Sequence, residues 1–239
     1  VSNVGFRIFK EIPRIERKEV IEEFRQIPTS NIADMMGRFA SIGGEIRAFH
    51  NQGLLMAGQA FTVRVSPADN LMMHMALELA QPGQVVIVEA GGDVTNAITG
   101  EIMCTYAKQK GIEGFIIDGA IRDRAGILAL DFPVYAKGLQ PRGPHKDGPG
   151  EVNVPISCNG VVIHPGDIVI GDDDGVVVIP LEEAEGVLIK AKEKVEQERK
   201  MMESIYAGTL DQSWVYKKME EKGCDIYDKY PSRRIGELR

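Results

Sequence analysis

Apolar positions recur along the chain at two periods, and each period marks a kind of element. In ERKEVIEEFRQ (16–26), Val20, Ile21 and Phe24 fall on one side of a helix among charged neighbours. Pro28 interrupts it, and Thr29, Ser30 and Asn31 offer caps for a second short helix over IADMMGRF (32–39). Glycines at 43, 44 and 53 mark loops. Residues 60–66 alternate, with Phe61, Val63 and Val65 against Thr62, Arg64 and Ser66, which predicts a strand with one wet face. NLMMHMALELA (70–80) has helical spacing and is closed by Pro82-Gly83.

The middle of the chain has the clearest rhythm. QVVIVEA (84–90) predicts a buried strand, and a glycine-rich loop follows at 91–100. EIMCTYAKQKG (101–111) predicts a helix stopped by Gly111. GFIID (114–118) is the next strand, GAIRD (119–123) a loop, 124–130 a short helix, and PVYAKG (133–138) a further strand. Strand, helix and strand in this order imply parallel pairing with right-handed crossovers. PRGPHKDGPG (141–150) reads as a loop. VVIH (161–164), DIVIGD (167–172) and VVVIP (176–180) predict short antiparallel strands, with turns at Pro165-Gly166 and DDG (173–175). Residues 181–206 predict a long charged helix, and the tail beyond it is partly helical. With no internal repeat and no long linker, the expectation is one layered α/β domain spanning 1–239, with helical arms at both ends.

Composition narrows the function. Asp plus Glu total 35 against 28 Lys plus Arg, a net charge of −7. A general nucleic-acid binder needs a basic footprint to displace counterions, so that class is disfavoured. A small anionic substrate is still allowed, because local charge governs it. Cys104, Cys158 and Cys224 are far apart and form no CxxC pair, which fits a reducing cytoplasm and gives no zinc motif. Arg7, Lys10 and Glu11 break any apolar run of a signal peptide. No stretch reaches the roughly 18 to 20 apolar residues that cross a bilayer. His50, His74, His145 and His164 share no ligand spacing.

In open parallel sheets, ligands collect beyond the carboxyl ends of the strands. Two loops occupy such ends, 91–101 and 119–123. Gly100-Glu101 opens a helix whose free N–H groups, at Ile102 and Met103, suit a carboxylate or phosphate. Arg122 suits paired contact with a planar carboxylate, and Asp123 is a hard oxygen ligand for Mg²⁺ or Mn²⁺. Glu101 is placed to orient a water or to hold Arg122. Together these residues fit a small keto acid whose carbonyl a metal polarises. The same residue types also suit a solvated surface pair.

GGDVTNAITGE (91–101), GIEGFIIDGAIRD (111–123) and the long run PRGPHKDGPGEVNVPISCNGVVIHPGDIVIGDDDGVVVIP (141–180) resemble one family. It holds the 4-hydroxy-4-methyl-2-oxoglutarate and 4-carboxy-4-hydroxy-2-oxoadipate aldolases and the regulator of ribonuclease E activity A. The resemblance covers about 30–210 and treats 181–239 as a C-terminal helical extension. It implies a layered, swivelling β/β/α-type domain with a parallel βαβ core, assembled as a homo-trimer or homo-hexamer. It implies a divalent-metal-dependent (class II) pyruvate aldolase, a carbon–carbon lyase with oxaloacetate decarboxylase activity alongside. The alternative is a non-catalytic regulator that inhibits ribonuclease E. By the same resemblance Asp123 is the one direct protein ligand to Mg²⁺ or Mn²⁺, and Arg122 binds the pyruvate side. The backbone after Gly100, at Ile102 and Met103, holds the carboxylate. Glu101 stands where the aldolases commonly have Asp. A Glu near the C-terminal helix of a neighbouring subunit completes the site, which here is Glu196 or, preferred, Glu198.

Other residues suit chemistry less well than this set. Lys137 after its strand suits a Schiff base only if it loses its proton, and a solvated or substrate-contacting lysine is the simpler reading. Asp172-Asp173-Asp174 lacks the further ligands of a calcium loop. His145-Lys146 is within reach of a distal substrate carboxylate or is a surface pair, and His74 reads as a packed or surface histidine. No GxGxG loop follows a first strand to hold S-adenosylmethionine.

Overall fold

The computed structural model describes residue 3 and residues 5–228. The expected extension to 239 therefore runs past the described residues. In chain order the elements are β1 (Phe6–Ile8), α1 (Glu19–Arg25), α2 (Thr29–Met35), β2 (Arg47–Ala48), β3 (Met56–Val65), α3 (Leu71–Leu79), β4 (Gln84–Glu89), β5 (Ala97–Thr99), α4 (Glu101–Gln109) and β6 (Gly114–Ile121). Then follow α5 (Arg124–Ala129), β7 (Val134–Leu139), β8 (Gly150–Val152), β9 (Ile156–Cys158), β10 (Val161–Ile163), β11 (Ile168–Asp172), β12 (Gly175–Ile179), a 3-10 turn (Leu181–Glu183), α6 (Ala184–Tyr206) and α7 (Ser213–Glu221). No described helix is long and apolar enough to cross a membrane.

The chain divides into two compact units, Val1–Val195 and Glu196–Arg239. The boundary falls inside α6, not in a linker. In the first unit β3, β4, β6 and β7 are parallel neighbours, as the strand–helix rhythm predicts. One face of this sheet packs on α3, α4 and α5 through Val86, Val88, Phe115 and Ile117. The opposite face packs Val85, Ile87, Ile116 and Tyr135 against Ile156 and Cys158 of β9 and Ile163 of β10. A third cluster joins Val20 and Phe24 of α1, Ile32 of α2, and Leu188 and Ala191 of α6 to β11 and β12. The result is helices on a parallel sheet with a second β layer behind it.

Four expectations need correction. The strand over 60–66 begins at Met56 and has no wet face, since Thr62 is fully buried. Its hydroxyl donates to the Val154 carbonyl at 2.6 Å, which makes burial of the polar side chain tolerable. The second helix starts at Thr29 and not after it. Its first turn is capped from a distance: Asp172 accepts from the Thr29 N–H at 2.9 Å and the Thr29 hydroxyl at 2.7 Å. GAIRD is mostly strand, because β6 continues to Ile121. The 91–100 loop contains β5, which pairs in parallel with the end of β6.

The second unit holds the last turns of α6 and α7. Arg199 pairs with Glu196 at 2.7 Å and also with Glu203, and Lys200 reaches Glu196 at 3.4 Å. Hydrogen bonding to Arg199 holds the Glu196 carboxyl down at about 2. No residue of α7 is buried, and Trp214 and Tyr216 are exposed on it.

Candidate functional site

Strand β6 outruns its neighbour. β4 pairs with β6 as far as Glu89 opposite Asp118. Beyond that point β5 takes over, with Ala97 opposite Ala120 and Thr99 opposite Ile121. The chain leaving β5 therefore runs beside the chain leaving β6. This brings Gly100 and the start of α4 against Arg122 and Asp123.

The contacts are close. The Arg122 N–H donates to the Thr99 carbonyl at 3.0 Å. The Glu101 N–H donates to Asp123 Oδ2 at 3.3 Å, and Arg122 Nε lies 3.5 Å from the same oxygen. A Cβ at Gly100 would stand 2.3 Å from Asp123 Oδ2, so only glycine leaves that carboxylate its place. Asp123 is left-handed, with φ 60°, a conformation that Asp and Asn tolerate better than other non-glycine residues. It stands at the N-cap of α5, and its carbonyl accepts from the Ile127 N–H at 3.1 Å.

The first helical bond of α4 runs from the Cys104 N–H to the Gly100 carbonyl at 3.1 Å. The N–H groups of Ile102 and Met103 precede it and have no partner among the described residues. The Glu101 side chain lies against α5, where a Cβ at Gly126 would meet its Oε2 at 2.2 Å. Gly126 thus makes room for a glutamate. In the sequence its signal is the glycine of the RAG run at 124–126. A cleft of about 310 Å³ opens here, lined by Arg122, Asp123, Arg124, Leu139, Gln140 and Pro141. A larger groove of about 580 Å³ passes between α3 and α4, but its lining is mainly Leu71, Met75, Met103 and other apolar side chains. His74 lines that groove, where burial and then the charge of Lys146 push its pKa down.

The 141–150 segment is a loop, yet it is tied at both ends. The Gln140 N–H donates to the Ile121 carbonyl at 2.9 Å, and the Ala97 N–H to the Arg142 carbonyl at 2.8 Å. Further on, the His145 N–H bonds the Ala68 carbonyl at 2.8 Å and the Asn70 N–H bonds the His145 carbonyl at 3.0 Å. His145 and Lys146 are both exposed.

Lys137 is not poised for a Schiff base. Its Nζ lies 2.9 Å from the buried Asp118 carboxylate and 3.5 Å from Glu45. Burial alone would lower its pKa, but these acids outweigh burial and hold it above the ordinary lysine value. The acidic turn is structural: Asp172 caps α2, and Asp173 accepts from the Gly53 N–H at 3.0 Å. Burial pushes the Cys104 thiol up to about 12, so it is no nucleophile at neutral pH.

Among the described residues no three His, Cys, Asp or Glu side chains are grouped to hold a metal. Asp123 offers one partly exposed carboxylate at the cleft. That donor set fits Mg²⁺ or Mn²⁺, which take one protein oxygen with substrate and water, and does not fit a closed zinc site. Glu198 is a half-buried residue of α6 in the second unit.

A model of the RraA-like family, described as Aldolase/RraA, matches residues 29–178. A Halalkalibacterium halodurans protein named "Putative 4-hydroxy-4-methyl-2-oxoglutarate aldolase" is 44% identical over 74% of this chain and 83% of its own length. An uncharacterized protein of Pseudomonas syringae has a crystal structure that superposes with TM-score 0.75 at 26% identity, covering 84% of this chain and 93% of that one. The RNA-processing inhibitor RraA of Thermus thermophilis superposes with TM-score 0.60 at 28% identity, over 65% of this chain and 93% of its own.

Proposed function

The chain belongs to the RraA-like family, Aldolase/RraA, and on that premise we propose that it is a lyase that cleaves a 4-hydroxy-2-oxo acid, such as 4-hydroxy-4-methyl-2-oxoglutarate, to pyruvate and an oxo acid. One observation carries the reading: Arg122 and Asp123 lie against Gly100 at adjoining strand ends, where α4 opens with the Ile102 and Met103 N–H groups unpaired among the described residues. Each of these groups answers a need of the reaction. The substrate carboxylate takes the Ile102 and Met103 amides, where the α4 dipole favours negative charge. Arg122 forks onto the carboxylate and the neighbouring carbonyl oxygen.

Asp123 would hold a divalent cation, Mg²⁺ or Mn²⁺, which supplies Lewis-acid polarisation of the 2-oxo group when bound. The protein's own part follows from charge. Glu101, through a water, takes the proton of the 4-hydroxyl. The C3–C4 bond breaks, C4 becomes a carbonyl, and the electron pair moves onto the 2-oxo oxygen as an enolate. The Arg122 guanidinium stabilises that developing charge, and a proton delivered to C3 completes pyruvate. Oxaloacetate decarboxylation passes through the same enolate and accompanies the activity. The reading includes a cytoplasmic homo-trimer or homo-hexamer in which Glu198 of a neighbouring copy completes the site.

The test is a panel of 4-hydroxy-2-oxo acids with pyruvate read by coupled lactate dehydrogenase, with and without chelator. Pyruvate formation that stops on chelation and resumes with Mg²⁺ is expected. No pyruvate from any substrate, or an undiminished rate after chelation, would sink the reading. The likeness to the Thermus inhibitor favours a second one, inhibition of RNA processing. Saturable inhibition of ribonuclease E without turnover would support it.

A further inference from the structure

Asp69 is buried, at 3% exposure, just before α3 and outside the site described above. A lone aspartate so deeply buried needs partners, and this one has three backbone donors. Its Oδ1 accepts from the Leu71 N–H at 2.9 Å. Its Oδ2 accepts from the Asp147 N–H at 2.7 Å and the Gly148 N–H at 3.0 Å. The neighbouring Asn70 sends its amide to the Ile98 carbonyl of β5 at 2.9 Å. Residues 68–70 therefore clamp both β5 and the far half of the 141–148 segment. The near half of that segment lies against the site, since a Cβ at Gly143 would stand 3.0 Å from Arg122 Nη1.

We propose that Asp69 is a positioning residue for Arg122: it fixes the 141–148 segment, and that segment is the wall that aims the guanidinium. The inference rests on the aldolase reading for its kinetic consequence, but not for its geometry. A long, flexible arginine makes a fork only where its surroundings limit its rotamers. Among the described residues Arg122 has one ion-pair partner, Asp123, at a loose 3.5 Å. Its aim must therefore come from packing, and at Gly143 the segment passes near enough that an added Cβ would stand 3.0 Å from Arg122 Nη1. A displacement of about 1 Å at such a group costs up to about a hundredfold in rate.

The experiment uses the full chain with Asp69→Asn, which keeps the size and loses the charge-assisted acceptor, and with Gly143→Ala, which crowds Arg122 and leaves Asp69 untouched. Both are assayed well below their melting temperatures, with the Arg122 Nε–H resonance followed by NMR. The expected result for Asp69→Asn is faster amide exchange at Asp147 and Gly148, a shifted and broadened Arg122 resonance, and about tenfold or greater loss of kcat/KM. Gly143→Ala reproduces the resonance shift and the loss without the faster exchange. A folded Asp69→Asn protein with wild-type kcat/KM would show Asp69 to be structural only and overturn the proposal. If Asp69→Asn does not fold, a wild-type resonance and rate in Gly143→Ala overturn it instead. Should the wild type itself release no pyruvate, the aldolase reading fails. The positioning claim is then decided by the resonance, which overturns it if unmoved in Asp69→Asn.

Discussion

The Glu101 N–H donates to Asp123 Oδ2 at 3.3 Å, joining the first turn of one helix to the cap of the next. Asp123 thus has two tasks, a local hydrogen bond and a charge. Asp123→Asn separates them, because Asn tolerates the left-handed backbone and still accepts a hydrogen bond. Its circular dichroism and melting curve should match wild type while pyruvate release is abolished. Arg122→Ala should lower the rate by about a hundredfold or more, the scale of a lost oxyanion donor. Near-wild-type turnover in either variant would refute the assigned roles.

Gly126 gives a test of Glu101. In the interior of α5 alanine is favoured over glycine by about 0.5–1 kcal/mol. A Cβ there, however, occupies the place of the Glu101 carboxylate. Gly126→Ala should therefore keep or raise the melting temperature and lower the lyase rate. Unchanged kinetics would mean that the Glu101 carboxylate takes no part in proton transfer.

Lys137 should resist borohydride trapping with pyruvate, since its two acidic neighbours keep it protonated. Lys137→Met leaves the buried Asp118 carboxylate without its cation, at a cost of about 3 kcal/mol. Chemical denaturation checks the second point, and mass spectrometry of the reduced adduct the first.

Asp69 also predicts a pH dependence. Burial alone would raise its pKa, but the three backbone N–H groups and the charge of His145 hold the carboxyl below its ordinary value. A depressed native pKa contributes stability that is complete above the unfolded value, about 3.9. That contribution is lost as pH falls through the lower native value. The stability gap between wild type and Asp69→Asn should be full near pH 5 and shrink below about pH 4. Denaturant melts across that range measure it.

Asp172→Ala removes both bonds to Thr29 at the start of α2. A lost helix cap costs about 1–2 kcal/mol, and the lyase rate of the folded protein should not change.

The elements with a long, regular period were legible from residues alone. α1, α3, α4 and the parallel strands β4, β6 and β7 stand where apolar spacing places them. Arg122 and Asp123 were legible only as a candidate pair, from their place after a strand ending in Asp-Gly, since the same residue types also suit a solvated surface. β5 was not, since its three residues, AIT, are too few to show a period and are strand only because β6 extends past β4. The continuation of β6 through Gly119 and Ala120 was hidden by small residues that read as a turn. Order in the 141–150 loop was hidden for another reason: the acceptor that fixes it, Asp69, lies on a distant part of the chain. The same is true of α2, whose cap comes from Asp172.

Thr99 and Ile121 face each other as rungs of a parallel ladder. The backbones that lead into α4 and into Arg122 are therefore set apart at this rung by interstrand spacing, about 4.8 Å, a length common to every β-sheet. Insertions or replacements in the surrounding segments can reshape the rim and retune which companion molecule is admitted. The rung beneath Gly100 and Arg122 keeps its width throughout, so on the proposed reading selectivity can vary without rebuilding the chemistry.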